Sequence, residues 1–267
     1  MASCKVCEEP LLLEIEDDES GEVQVFPDDL ELPCGCHFHW QCLMDHSSEV
    51  AMSLQCPACH GQLASNAAGP SVTNQFLHTS SDARILTRYN NEGGLQEDLD
   101  ILPEITEEAY LEANPEARPA RAFHVMCSEG DVGGIVELLR ALDRDHQQGA
   151  GSSSADEEEP SMDPMQLLPY QDPLNGSKSG LHLAVEKGQE EIVWLLLWLA
   201  SPLSAEVFPP AAVEAAHAMG VQRPATAPAN DIRLLQDESG RTAESVAAGM
   251  DGIWNAALEA GALRPGV

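Results

Sequence analysis

The sequence predicts two parts in tandem: a small α+β module at the N-terminus, then an all-α solenoid with disordered insertions. Three observations predict it. Seven of the eight cysteines lie within the first 59 residues, a stretch too small to bury a sufficient core of its own. Three later segments, 120–142, 175–201 and 237–262, resemble one another in their helices and glycines. Ser/Gly-rich, acidic and Pro/Ala-rich runs interrupt them.

The module spans 1–64. Its candidate ligands come in four pairs. Cys4 and Cys7 are followed, after 26 intervening residues, by Cys34 and Cys36; His39 and Cys42 follow after two residues, and Cys56 and Cys59 after 13 more. A two-residue spacer lets both thiolates of a tight turn face one ion. Zinc takes four ligands per structural site, so eight groups hold two ions. A thioredoxin-type redox motif needs a single CxxC in a βαβ setting and does not fit. Between the first two pairs runs the acidic loop EIEDDESGEVQVFPDDLEL, with a turn at SGE and a short strand at VQVF. His37, His46 and His60 read as exposed polar residues rather than ligands.

The stretch CGCHFHWQC and its flanking CxxC pairs resemble the RING family of zinc fingers over about residues 4–63. Cys36 stands where that family more often has His, which is the ligand order of the RING-CH variant. PHD fingers share the order, but their gap before the His is longer. The resemblance implies a cross-brace. The first ion would take Cys4, Cys7, His39 and Cys42; the second would take Cys34, Cys36, Cys56 and Cys59. His37 is left out, because using it would leave one residue before His39 instead of the usual two.

The same resemblance implies a function: recruiting a ubiquitin-conjugating enzyme and holding its ubiquitin thioester for attack by a substrate lysine. The module itself supplies no nucleophile, so no catalytic residue is expected. Val6 and Pro57 match the family's partner-contacting positions. His60 falls where active members carry Arg or Lys, and His46 where many carry Trp. A neutral His donates one hydrogen bond but lacks the permanent forked charge of Arg.

Residues 65–118 read as a connector with short helices. SNAAGPS is a turn-rich break, and TEEAYLEAN is a short helix with a Thr cap, ended by Pro115.

Residues 119–265 are mostly helical, with loops near 145–172 and 202–236. LHLAVEK ends at Gly188, and the apolar EEIVWLLLWLA follows at once. Leu181, His182, Ala184, Gly188, Ile192, Val193, Leu195 and Leu196 place this segment on a pattern that resembles the ankyrin repeat. Phe123, His124, Gly130, Ile135, Val136, Leu138 and Leu139 place 120–142 there too, with Cys127 as a packing residue. The segment 237–262 is a weaker match, with Ser245 in place of the His. The period of the family is about 33 residues. Here His124 and His182 are 58 apart, and His182 and Ser245 are 63 apart, so the repeats are separated by insertions. AAVEAAHAMG, at 211–220, is a candidate extra helix. The resemblance implies that His124 and His182 hydrogen-bond nearby backbone rather than catalyse.

Composition narrows the partners. With 45 acidic and 13 basic residues, the net charge is −32. Such a chain repels nucleic acid and anionic membrane surfaces, and it suits basic protein partners. The start MASCKVCEEP has no apolar signal region, and IVWLLLWLA is far shorter than the about 20 residues a membrane span needs. The expectation is an intracellular protein, cytoplasmic or nuclear. It would be a RING-type ubiquitin ligase or ligase subunit that captures a protein substrate on its ankyrin-like stack. The rival is a non-catalytic adaptor with a structural zinc module.

Overall fold

A computed structural model describes residues 2–16, 23–64, 83–149, 162–250 and 252–265. The middle of the acidic loop with its SGE turn, the SNAAGPS break and most of the 149–164 insertion lie outside the described residues. The chain divides into two compact units, Met1–Asn114 and Pro115–Val267.

The first unit opens with a hairpin of β1 (Leu12–Glu16) and β2 (Val23–Pro27), the second strand containing VQVF. Then come β3 (Asp29–Glu31), β4 (His37–Phe38), α1 (Trp40–Met44) and α2 (Ser47–Ser53). The segment expected as a connector differs from expectation. Its described part forms β5 (Leu86–Asn91), β6 (Gly94–Asp100) and α3 (Leu102–Ala113). The strands complete an antiparallel sheet of order β4-β3-β5-β6, and α3 packs on α2. Ile85, Ile101, Ile105 and Ala109 join Leu30, Phe38, Leu43 and Val50 in one buried core. The segment after residue 83 therefore enlarges the apolar core that residues 1–64 begin. Thr106, expected as a helix cap, is buried inside α3, which begins four residues earlier with Pro103 in its first turn.

Asp28 ties the added strands to the rest. Its carboxylate accepts from the Trp40 N–H at 3.2 Å and from the Tyr89 hydroxyl at 3.0 Å. Burial and the Asp28 carboxylate push the Tyr89 phenol up to about 12, so it stays a donor.

In the second unit, helix pairs stack: α4 (Arg118–Glu129) with α5 (Val132–Gly149), then α7 (Gly180–Glu186) with α8 (Glu190–Ala200), then α10 (Ala243–Ala248) with α11 (Asn255–Glu259). Helix α7 packs on α4 and on α10. Between the first two pairs lie α6 (Pro164–Leu167) and a hairpin of β7 (Gln171–Asp172) and β8 (Lys178–Ser179). Gly130 and Gly188 take φ of +84° and +72°, the left-handed conformation that ends a helix cheaply. Side chains stitch neighbouring pairs together. Gln189 donates to the Ser128 carbonyl at 2.8 Å, and Trp254 donates to the Val185 carbonyl at 3.2 Å. The expected 202–236 loop contains α9 (Pro210–Ala218), which takes in all but the last two residues of AAVEAAHAMG, and buries Phe208, Ala216 and Ile232. That segment is part of the core because its apolar side chains cover the outer face of α8.

Gly180 lies tightly against buried side chains of α4. A Cβ there would stand 2.7 Å from the Phe123 ring and 2.9 Å from Cys127 Sγ, both fully buried. Gly180→Ala should destabilise this unit by about 1–3 kcal/mol through overpacking. Urea unfolding followed by tryptophan fluorescence reports on it, since Trp194, Trp198 and Trp254 all lie here. An unchanged midpoint would refute the close packing.

His182 fulfils its expected backbone role and His124 does not. His182 Nδ1 accepts from the Ser179 hydroxyl at 2.8 Å, and its Nε2 donates to the Arg241 carbonyl at 2.9 Å. His124 lies in the middle of α4, which starts well before it at Arg118, so no uncapped helix end is near. Its ring is buried without a hydrogen-bond partner among the described residues, 4.0 Å from the Asp172 carboxylate. Asp172 also pairs directly with Arg121. Burial pushes the Asp172 carboxyl up, but His124, Arg121 and the Leu174 N–H outweigh it and hold it below its ordinary value. Burial holds His182 below its ordinary value as well.

Both shifts make this unit acid-sensitive. The unfolded chain protonates His182 near pH ~6.5, where the folded chain still excludes the proton, so stability falls as pH drops from about 7. The Asp172 contribution is lost further down, below about pH 4. Thermal melts from pH 8 to pH 3.5 should show a falling midpoint across both windows, and His182→Gln should flatten the first.

Candidate metal centres

Two groups of side chains converge in the first unit: Cys4, Cys7, His39 and Cys42, and separately Cys34, Cys36, Cys56 and Cys59. Within each group all donor atoms lie within 4.8 Å of one another. The ligand pairs are interleaved. The first pair meets the third, and the second meets the fourth, so neither centre can form from one continuous stretch.

Local backbone shapes each turn. Cys4 and Cys56 both open a CxxC turn in which the residue four positions on donates back, Glu8 to the Cys4 carbonyl at 3.0 Å and His60 to the Cys56 carbonyl at 2.8 Å. Those two residues have φ of 63° and 56°, so the turns are alike. Gly61 allows a tight approach, since a Cβ there would sit 3.3 Å from Cys59 Sγ. Gly35, at φ +79°, turns the chain between Cys34 and Cys36.

In the first group, His39 Nδ1 stands 3.3 Å from Cys7 Sγ and 3.7 Å from Cys42 Sγ. A tetrahedral zinc with ordinary Zn–N and Zn–S bonds puts such atoms about 3.6 Å apart. His39 Nε2 donates to the Pro10 carbonyl at 2.9 Å, which fixes the ring and leaves Nδ1 free to coordinate. The Pro10 carbonyl has no sequence signature, and nothing in the ligand spacing pointed to it.

The thiols show the strain of crowded donors. Burial and the sulfurs of Cys59, Cys34 and Cys56 push the Cys36 thiol up to about 12. Burial, with Cys4 and Cys7, does the same to Cys42. Burial also raises Cys4, but N–H groups of Cys7, Val6 and His39 outweigh it and bring it to about 6. The Gly61 N–H leads in lowering Cys59 to about 7. In each group one thiolate forms readily while a neighbour resists ionising beside it. A cation at the centre removes that resistance. The donors fit a metal ion in each group, compatible with two zinc ions, and all eight cysteines of the chain are free thiols.

His37, His46 and His60 belong to neither group. His37 Nδ1 pairs with Asp29 Oδ1 at 2.7 Å, and His46 faces Glu49 at 3.8 Å. Val6 and His60 are exposed and Pro57 is half-buried. Comparison with protein-family models, curated proteins and solved structures gave no match to this chain. Among the described residues, no helix is long and apolar enough to cross a membrane.

Proposed function

We propose that this chain is a zinc-binding ubiquitin ligase of RING type, or a subunit of one. The N-terminal unit holds two zinc ions and recruits a ubiquitin-conjugating enzyme. The helical unit, read as a degenerate ankyrin stack, binds the protein substrate. The observation that carries this reading is the interleaving of the ligand pairs, first with third and second with fourth. The stacked helix pairs support the second half.

In this reading Val6, Pro57 and His60 meet the conjugating enzyme. A substrate lysine attacks the ubiquitin thioester carbonyl, and the enzyme's cysteine leaves as thiolate. The module acts by positioning alone. One observation favours the adaptor reading: at His60, an exposed imidazole stands where a permanent cation would bridge enzyme and ubiquitin.

Incubation with a panel of conjugating enzymes separates the two. The ligase reading expects ubiquitin discharge above background with at least one enzyme, and faster discharge for His60→Arg. No discharge by zinc-loaded protein, in either form, would leave the adaptor.

A further inference from the structure

The β1–β2 hairpin exposes apolar side chains that the core does not use. Leu12, Leu13, Ile15, Val23 and Val25 are 52%, 49%, 43%, 57% and 52% exposed. Soluble domains seldom expose such a cluster without a purpose. The two strands pair only with each other among the described residues, so β1 keeps an open edge: the Leu12 N–H turns back to the Pro10 carbonyl at 2.8 Å, and the Glu14 and Glu16 N–H groups stay on that edge.

Register sorts the side chains onto two faces. Leu13 stands opposite Phe26, and Ile15 opposite Gln24, so one face of β1 is apolar. On the other face, Glu14 stands opposite Val25, and Glu16 opposite Val23. From Leu13 to Glu16, apolar and acidic residues therefore alternate. Charge is unbalanced around them: no Lys or Arg occurs between Lys5 and Arg84, while Glu8 and Glu9 add exposed negative charge beside the hairpin. A second copy of this edge would set carboxylates against carboxylates, which disfavours self-pairing.

We propose that the open edge of β1 docks an extended protein segment in which apolar residues alternate with Lys or Arg. Added as a third strand, that segment lays its apolar side chains beside Leu13 and Ile15. Its cations meet Glu14 and Glu16. Main-chain hydrogen bonds along the edge supply affinity, and the alternation supplies selectivity. The inference is independent of the ligase reading, since β1 contributes no metal donor.

The probe is a fluorescent peptide of alternating Val and Lys, titrated against the full chain at 0.15 M salt. A peptide of the same composition with its valines and lysines in separate blocks is the control. The alternating peptide should bind about tenfold more tightly, since only it can match both faces at once. Amide exchange should slow at Glu14 and Glu16, whose N–H groups lie on the open edge, when it binds. Glu14→Lys/Glu16→Lys should lose the Val-Lys peptide and accept a Val-Glu peptide instead. Leu13→Ser/Ile15→Ser should weaken binding without loss of metal, because both side chains are exposed. Equal affinity for the block peptide would reduce the effect to bulk charge and overturn the proposal. So would Glu14 and Glu16 amides already protected in the free chain, or a self-associated hairpin in sedimentation.

Discussion

Cys36→Ala should bind one metal ion where the unaltered chain takes up two, and residues 2–114 should lose their fold. His37→Ala should keep both ions. These neighbours compete on paper for one ligand place, and the geometry separates them. Cys36 lies in the group with Cys34, Cys56 and Cys59, while His37 is engaged with Asp29. A structural zinc contributes about 10–16 kcal/mol of apparent binding energy to folding. A small domain is stable by only about 5–15 kcal/mol, so losing one ion exceeds what the apolar core can offset. Metal content by mass spectrometry under native conditions gives the count, and amide exchange in β3 to α3 gives the fold. The helical unit holds no donor of either centre, so amide protection in α7 and α8 should not change. An ion lost from His37→Ala but retained by Cys36→Ala would overturn the assignment.

The two candidate donor groups could be read from the sequence because their chemistry is carried by residue type and spacing. Four soft pairs within 59 residues admit few alternatives. The helix pair at 180–200 was legible for a related reason: EEIVWLLLWLA is too apolar for a surface helix, and Gly188 marks its start. The strands β5 and β6 carry no strong local pattern. The signals there were modest, with Thr87 and Tyr89 at alternate positions and a tight Glu-Gly turn closing Asn91 against Gly94. Their importance lies in partners far away in sequence, Leu30 and Asp28, which no local pattern reveals. Non-local pairing also explains the two histidines. His182 sits at the start of a short helix beside Ser179, whereas Pro119 lets α4 begin earlier and leaves His124 inside it. Similar motif positions thus acquired different environments.

Arg233 should be the most costly single surface-charge-type residue to lose, because it is not at the surface. Its side chain is fully buried, and Asp231 beside it is nearly so. The pair is bidentate, with Nε 2.9 Å from Oδ1 and Nη2 2.7 Å from Oδ2. Nη1 donates to the carbonyls of Ala262 and Arg264, at 3.3 and 2.6 Å, holding the segment after α11 against the turn at 231–234. Arg233→Ala leaves a buried carboxylate without a counter-charge, a loss of about 3–5 kcal/mol. For a unit of this size that lowers the melting temperature by roughly 10 °C. Removing both charges together separates the cost of an orphaned ion from the worth of the pair. Asp231→Leu/Arg233→Met restores packing without charge and should recover part of the stability, since apolar replacement of a buried pair is often near neutral. Recovery stays incomplete, because the Ala262 and Arg264 carbonyls still lack their donor, at about 1–3 kcal/mol each. A double variant no more stable than Arg233→Ala would place the energy in those carbonyl bonds rather than in the ion pair.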